Sequence, residues 1–228
     1  MKIEHLHGWN IGYDRAREIQ NDLRPRIILH NEGIPRRIQT IAGTDISYSR
    51  GSKTFFAAVV VLDFTTMEII EQASSSGIVD FPYIPGLLTF REGPILLEAF
   101  RKLSLPPDII IFDGQGIAHP RGIGLASHMG LFLDTPSIGC GKTRLVGSYD
   151  ETGNEPGNYS ALAHNGEIMG AVLRTKRNVK PVFVSQGHKI GLKKAIEITL
   201  SSCRGYRLPE PTRKAHLAAG EIRLRQDH

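Results

Sequence analysis

Three acidic residues lie at positions where a carboxylate is unusual. Asp45 lies inside a predicted strand, where Asp is depleted and its burial is costly without a partner or a metal. Asp113 directly follows the apolar run 109–112, and the carboxyl end of a buried parallel strand is where open α/β sheets bind ligands. Glu92 stands at the start of a predicted helix. Ordinary alternatives remain open: an exposed strand position for Asp45, an Asp–Gly turn for Asp113, and a capping box with Thr89 for Glu92.

The three carboxylates would do chemistry together if they met at one end of a sheet. Clustered carboxylates repel each other, and some stay protonated unless a cation neutralises them. Mg²⁺ accepts one or two carboxylates and keeps several waters, which leaves room for a phosphate oxygen. Such a site suits metal-assisted hydrolysis of a phosphodiester.

A lysine and two histidines are further candidates. Lys142 ends the segment Gly139-Cys140-Gly141-Lys142, but Pro136 stands where a Walker motif needs glycine, which disfavours a nucleoside triphosphate site. Lys142 then either contacts a single phosphate or is a solvated loop lysine. His216 lies on a basic C-terminal helix and either holds water or is structural. His119, before Pro120 and Arg121, either contacts substrate phosphate or belongs to an ordinary loop.

The segment Pro82-Tyr83-Ile84-Pro85 is an unusual loop sequence. Two prolines stiffen a stretch that carries an aromatic and a branched aliphatic side chain. A rigid apolar prong of this kind can enter a duplex and fill the gap left by a displaced base. The alternative is a loop packed onto the core.

Hydrophobic periodicity predicts the elements that must position these residues. We predict helices over 10–29, 90–103, 123–133, 191–203 and 212–226, strands over 38–48, 55–64, 67–79, 108–112, 136–139, 159–163, 168–175 and 181–185, and a surface loop over 148–158. The short links between the first three strands indicate an antiparallel meander. The whole chain, 1–228, is predicted to be one α/β domain with a mixed central sheet, in which parallel strands continue the meander and helices flank it.

Composition narrows the class of protein. The 228 residues are 40% hydrophobic, which excludes a disordered chain, and two cysteines exclude a disulfide framework and a Cys-rich zinc site. No apolar run is long enough to cross a membrane, and the N-terminus lacks a signal peptide. We therefore expect a cytoplasmic protein without a membrane partner. A net charge of +5 is compatible with a polyanionic partner.

Several ordered blocks of the sequence closely resemble the endonuclease V family, which acts on deaminated adenine in nucleic acid. The blocks are Ile41-Ala42-Gly43-Thr44-Asp45, Pro82-Tyr83-Ile84-Pro85-Gly86-Leu87-Leu88-Thr89-Phe90-Arg91-Glu92, Asp113-Gly114-Gln115-Gly116 with His119-Pro120-Arg121, Gly139-Cys140-Gly141-Lys142, and Tyr206-Arg207-Leu208-Pro209-Glu210-Pro211-Thr212-Arg213. The resemblance implies a ribonuclease H-like fold and dependence on Mg²⁺, for which Mn²⁺ can substitute. It also implies cleavage of the second phosphodiester 3′ of the lesion, leaving 3′-hydroxyl and 5′-phosphate ends.

The same resemblance implies roles for individual residues. Asp45, Glu92 and Asp113 would bind the metal, Lys142 would contact phosphate at the catalytic site, and His216 would activate water or lie beside the metal. The segment Pro82, Tyr83, Ile84 and Pro85 would separate the strands. His119 would contact substrate, and the backbone around Gly86, Leu88, Gly114, Gly116 and Gly124 would line the pocket for the flipped base. Gly141 departs from the alanine common before the lysine, which would loosen the loop, and Gln115 is given no role.

The expected partner is DNA that contains deoxyinosine or other deaminated or mispaired bases, bound by a monomer. Two alternatives remain: an endoribonuclease for inosine in RNA, or a binding module with a degenerate site. The presence of all three carboxylates disfavours the binding module. Single-stranded DNA is a further possible substrate, and no motif in the sequence reads the ribose 2′-hydroxyl.

Overall fold

The computed structural model describes residues 1–226, which form five α-helices around a mixed β-sheet. The helices are α1 (Tyr13–Leu23), α2 (Leu88–Arg101), α3 (Leu125–Leu133), α4 (Leu192–Ser201) and α5 (Glu210–Gln226), and the strands are β1 (Thr40–Tyr48), β2 (Thr54–Asp63), β3 (Ile69–Ile78), β4 (Ile109–Phe112), β5 (Ser137–Gly141), β6 (Tyr159–His164), β7 (Glu167–Leu173) and β8 (Val182–His188). A 3₁₀ turn, Arg24–Arg26, follows α1. Within this part of the chain, no helix is both long and apolar enough to span a bilayer.

The eight strands form one sheet in the order β3-β2-β1-β4-β5-β8-β7-β6. The predicted meander of the first three strands is confirmed, and β4 and β5 continue it in parallel with β1. The other edge is a second antiparallel meander, β8-β7-β6, which the sequence analysis did not specify. Its signal was the pair Asn165-Gly166 between β6 and β7, where both residues have positive φ, as two-residue hairpin turns require.

The middle of the sheet is apolar on both faces because helices cover both sides. All four residues of β4 are buried. Ile109 and Ile111 join the core beneath α4 and α5, whereas Ile110 and Phe112 join the core beneath α2 and α3. The alternation assigns each residue of the central strands to one of two helical layers.

Two helix boundaries differ from the predictions. The first helix covers Tyr13–Leu23 instead of 10–29, because Gly12 precedes it in an extended conformation and Pro25 lies in the 3₁₀ turn that follows. Helix α2 begins at Leu88, so Thr89 lies inside the helix and makes no capping hydrogen bond. The capping-box explanation of Glu92 is therefore wrong, and its carboxylate is not used as a cap.

A glycine in β1 lets α5 approach the sheet closely. A Cβ on Gly43 would lie 2.1 Å from the backbone carbon and oxygen of Pro211 at the start of α5. Any larger residue would push the helix away from the strand. Gly43 and Asp45 share one face of β1, since side chains alternate along a strand, so this contact brings α5 to the face that carries Asp45.

A buried aromatic cluster joins the N-terminal segment to α2 and α3. His128 is fully buried, its Nε2 lies 2.8 Å from Nε2 of His7, and its ring stacks on Phe132 with 5.7 Å between centroids. Trp9 stacks on Phe132 from the N-terminal segment. Burial holds the pKa of His128 well below its usual value, and the neighbouring His7 and His119 lower it further.

We expect the free energy of unfolding to fall as the pH drops below 6.5. His128 takes up a proton in the unfolded chain but stays neutral in the folded protein. Each such histidine contributes at most about 1.4 kcal/mol per pH unit in that range. Urea unfolding at pH 7.5 and pH 5.0 would measure the slope, and His128→Phe should reduce it. His119, with a pKa lowered to about 4, accounts for part of the slope that remains. An unchanged slope in His128→Phe would refute the assignment.

Candidate active site

The register of two parallel strands brings two aspartates together. Thr44 of β1 pairs with Phe112 of β4, so the next residues, Asp45 and Asp113, stand side by side on neighbouring strands. Parallel in-register positions present their side chains on the same face of the sheet. The strand that places Asp113 here ends immediately before it, as the sequence predicted.

The third carboxylate, that of Glu92, comes from the helical layer on the other face of the sheet. Glu92 lies in the second turn of α2, and it lines a cavity of about 200 Å³ together with Asp45 and Asp113. Burial raises the pKa of Glu92 to about 8, and the charges of Asp45 and Asp113 add to the effect. Burial likewise raises the pKa of Asp45, with a contribution from Asp113. The three carboxyl groups therefore act on one another, as the sequence suggested.

Two basic side chains balance part of this negative charge. The ammonium of Lys142, which follows β5 directly, forms an ion pair and hydrogen bond with Oδ2 of Asp113. Burial alone would lower the pKa of Lys142, but its bond to Asp113 and the charges of Asp113 and Asp45 outweigh burial and raise it. Nδ1 of His216, on α5, lies 2.7 Å from Oδ2 of Asp45. The structure thus brings together all five residues predicted to be catalytic.

The donor set suits a hard divalent cation. Three carboxylates line one small cavity, where burial, with a smaller contribution from neighbouring carboxylates, raises the pKa values of Asp45 and Glu92. Across residues 1–226, no three His, Cys, Asp or Glu side chains stand in a ready-made ligand arrangement. Asp113 is paired with Lys142 and Asp45 with His216 in this structure, so a cation would compete with both bases for carboxylate oxygens.

A second cavity, of about 300 Å³, adjoins the carboxylates. The two cavities share Leu88, Asp113 and Leu125. Its other lining residues come from three loops and the start of α2: Tyr83, Ile84, Pro85, Gly86, Thr89, Gly114, Gln115, His119, Gly124, Gly141, Lys142, Thr143, Arg144 and Leu145. Of the predicted base pocket, Gly86, Leu88, Gly114 and Gly124 line this cavity, which we call the base cavity.

The predicted strand-separating loop is held in place where it approaches α2 and is exposed at its tip. Tyr83 is 68% exposed, whereas Ile84 packs against the core beneath α1 and α2. Gly86 has φ +80°, and its carbonyl accepts hydrogen bonds from Gln20 Nε2 at 3.0 Å and from Arg121 Nη2 at 2.6 Å. A Cβ on Gly86 would lie 2.8 Å from Arg121 Nη2. The loop therefore needs glycine at this point.

His119 lies at the base cavity, but its contacts do not support the predicted phosphate contact. Its Nε2 lies 3.0 Å from the Gly86 carbonyl, so it is the protonated nitrogen, and Nδ1 accepts from the Arg121 backbone N–H at 3.2 Å. Burial, with the nearby Arg121 charge, lowers the pKa of His119 to about 4. A neutral imidazole with both nitrogens engaged supports the loop and does not bind phosphate.

Two further residues predicted to bind substrate lie outside the base cavity. Gly116 packs against β8, where a Cβ would lie 2.0 Å from the Gln186 carbonyl. Its N–H donates to Ser185 Oγ and its carbonyl accepts from Gly124, so its backbone groups hold the loop together. Pro82 lines a separate groove beside Phe81 on the far side of the loop.

Gln115, which had no predicted role, joins two loops of the base cavity. Its Nε2 donates to the Thr143 carbonyl at 2.9 Å, and its buried Oε1 has no hydrogen-bond partner in the described chain. A Cβ on Gly141 would lie 2.3 Å from Gln115 Nε2. Gly141 therefore makes room for the glutamine, which ties the loop after β5 to the loop after β4. That Gly141 loosens the loop remains a prediction.

Arg207 is a further functional residue without a predicted role, although it lies in the block from Tyr206 to Arg213. Its guanidinium donates to three backbone carbonyls, those of Lys142 at 2.6 Å, Lys180 at 2.8 Å and Pro181 at 2.9 Å. It therefore fixes the residue that contacts Asp113 to the segment that enters β8. No local sequence signal marks an arginine for such a role.

Comparison with known proteins identifies the family. The endonuclease V family model matches residues 21–217. An endonuclease V of Dehalococcoides mccartyi is 50% identical over 222 residues, covering 97% of this chain and 99% of the relative. An endonuclease V of Methanothrix thermoacetophila is 49% identical, covering 95% of each chain.

Solved structures agree with this fold. The crystal structure of an endonuclease V from Streptomyces avermitilis superposes with a TM-score of 0.92 at 38% identity and full coverage of both chains. One from Ciona intestinalis, in complex with a 23-mer DNA containing an inosine followed by a ribo-adenosine, gives 0.82 at 26% identity, covering 93% of this chain and 97% of that one. The predicted ribonuclease H-like fold is thereby confirmed, and the chain belongs to the endonuclease V family of nucleases.

Proposed function

We propose that this chain is a repair endonuclease that recognises deoxyinosine in DNA and hydrolyses the second phosphodiester 3′ of it, leaving 3′-hydroxyl and 5′-phosphate ends. The observation that carries the proposal is the shared wall between the base cavity and the carboxylate cavity, at Leu88, Asp113 and Leu125. A base held in the first cavity places a nearby phosphate of its own strand within reach of the second. The Ciona relative, which binds inosine-containing DNA, supports the choice of lesion.

Backbone groups of the base cavity suit hypoxanthine. Within residues 1–226, the N–H groups of Leu88 and Thr89 have no hydrogen-bond acceptor, since they open α2. Hypoxanthine has a carbonyl at C6 and a proton on N1, so it accepts where adenine donates. The Gly86 carbonyl already takes three donors, whereas the Gly114 carbonyl takes none in the described chain. A base that does not match these groups leaves buried polar groups unpaired, which costs about 1–3 kcal/mol for each group.

The carboxylates would hold Mg²⁺, with Mn²⁺ as a substitute. A divalent cation bound by Asp45, Glu92 and Asp113 would supply Lewis acidity and lower the pKa of a coordinated water. Lys142 remains charged beside Asp113 and would bind a phosphate oxygen. Nδ1 of His216 donates to Asp45, which leaves Nε2 of the ring to contact and activate a water.

RNA is a second candidate substrate, for a specific reason. The nucleic acid in the Ciona complex carries a ribose directly after the inosine. The same carboxylates could cleave RNA, and a contact to the 2′-hydroxyl would decide between the two. A cytoplasmic location, a monomeric state, the choice of metal and the acceptance of other deaminated or mispaired bases remain predictions.

Matched DNA and RNA oligonucleotides, each with one inosine, test the substrate. We expect faster cleavage of the DNA in Mg²⁺, product ends as proposed, and no cleavage in chelator. Adenine in place of inosine is the control. Equal or faster turnover of the RNA would overturn the DNA-repair proposal in favour of the ribonuclease.

Asp113→Ala should reduce the single-turnover rate by at least about 100-fold. Loss of a residue that only orients a metal ligand costs up to about 100-fold, and Asp113 is proposed to be a ligand itself. Asp150→Ala, in the exposed loop before β6, is the matched control and should cleave normally. Retained activity in Asp113→Ala would exclude the proposed carboxylate site.

Tyr83→Ala should weaken binding to inosine DNA by about 1–3 kcal/mol, the worth of one base stacked on an aromatic ring. The single-turnover rate at saturating enzyme should change less, because Tyr83 is exposed and lies outside the carboxylate cavity. Tyr83→Phe keeps the ring and is the control. A large fall in the single-turnover rate with unchanged affinity would contradict a strand-separating role for Tyr83.

A further inference from the structure

A groove beyond Lys142 continues the same edge of the sheet. Gly141 of β5 pairs with Phe183 of β8 in antiparallel orientation, so the end of β5 and the start of β8 meet at one edge. The groove has a volume of about 680 Å³ and is lined by Lys142, Thr143, Arg144, Tyr149, Glu151, Lys180, Pro181, Phe183 and Arg207. We call it the basic groove. It shares Lys142, Thr143 and Arg144 with the base cavity, so the two are continuous.

The basic groove carries four cationic side chains and one carboxylate, that of Glu151. Within residues 1–226, neither Arg144 nor Lys180 has a carboxylate within ion-pair distance. Arg207 contributes charge from the wall, where its three bonds to backbone carbonyls hold it in place. An excess of fixed positive charge in a concavity attracts an anion of several charges.

An aromatic surface lies among these charges. Tyr149 is 40% exposed and packs edge-to-face on Phe183, with 5.7 Å between ring centroids. The guanidinium of Arg144 lies 5.8 Å from the centre of the Tyr149 ring. Exposed aromatic rings interleaved with basic groups are the pattern by which proteins bind single-stranded nucleic acid, since bases stack on the rings and phosphates contact the cations.

We propose that the basic groove binds an unpaired segment of the substrate strand next to the cleaved phosphate. Phosphates would contact Arg144 and Lys180, and a base would stack on Tyr149. A paired duplex keeps its base faces stacked on one another and offers none to Tyr149, so the occupant is a single strand. The position of the groove rests on the proposed function, because Lys142 joins it to the carboxylate site.

Binding to a plain oligothymidylate tests the groove without any lesion or cleavage. Fluorescence anisotropy in chelator, over a series of salt concentrations, would compare Lys180→Gln and Tyr149→Leu with the wild type. Lys180→Gln should reduce the salt slope by about 0.7, the value for one phosphate contact on a single strand. Tyr149→Leu should weaken binding by about tenfold, within the range for one stacked base.

The chain offers matched controls for both variants. Lys176→Gln changes an exposed lysine in the loop between β7 and β8, and Tyr159→Leu changes an exposed tyrosine on the edge strand β6; neither lies in the groove. Both controls should bind like the wild type. If the groove variants bind like these controls, or if all four variants lose affinity equally, the groove does not bind nucleic acid and the proposal is overturned.

Shortened inosine oligonucleotides locate the bound segment. Removing unpaired nucleotides stepwise from one end should abolish the difference in affinity between wild type and Tyr149→Leu, whereas removal from the other end should preserve it. A difference that persists at every length from both ends would overturn the proposal. Failure of wild-type protein to prefer inosine would instead refute the proposed function, and the oligothymidylate result would still stand. Unchanged thermal unfolding of the variants shows that they are folded.

Discussion

The parallel register between β1 and β4 determines the chemistry of the site, because it forces two carboxylates to stand side by side. Neighbouring strands are about 4.8 Å apart, so Asp45 and Asp113 cannot avoid each other once Thr44 pairs with Phe112. The repulsion between the two carboxylates is offset because the same register buries the apolar residues of β4 on both faces. Lys142 forms an ion pair with Asp113, and Nδ1 of His216 contacts Asp45.

Glu92 is the carboxyl group whose protonation a bound cation would change. With its pKa raised to about 8, this carboxyl group holds a proton at neutral pH. Asp45, Glu92 and Asp113 would hold a divalent cation, which would supply positive charge to the three carboxylates. Lys142 would contact a phosphate from its place beside Asp113, since Arg207 holds its backbone carbonyl.

The sequence predicted those features that depend on neighbours along the chain. The apolar run before Asp113, the meander and the stiff loop at Tyr83 all have local signals. The capping-box pattern at Thr89 failed because α2 begins at Leu88, so Thr89 lies inside the helix and makes no cap. The bonds from Gln20 and Arg121 to Gly86 join residues 66 and 35 positions apart, so no periodicity could reveal them.

The modest net charge of +5 conceals a strongly uneven distribution. If three carboxylates bind a cation, the rest of the chain has 28 basic and 20 acidic side chains. The carboxylate cavity is an acidic centre, and the basic groove begins at Lys142, on its border. Charge at the surface acts over about a Debye length and attracts any nucleic acid, so its effect fades with salt. A base in the base cavity would contact fixed backbone groups at short range, where salt has little influence. Under the proposed function, affinity and choice of base would therefore arise from separate parts of one sheet edge.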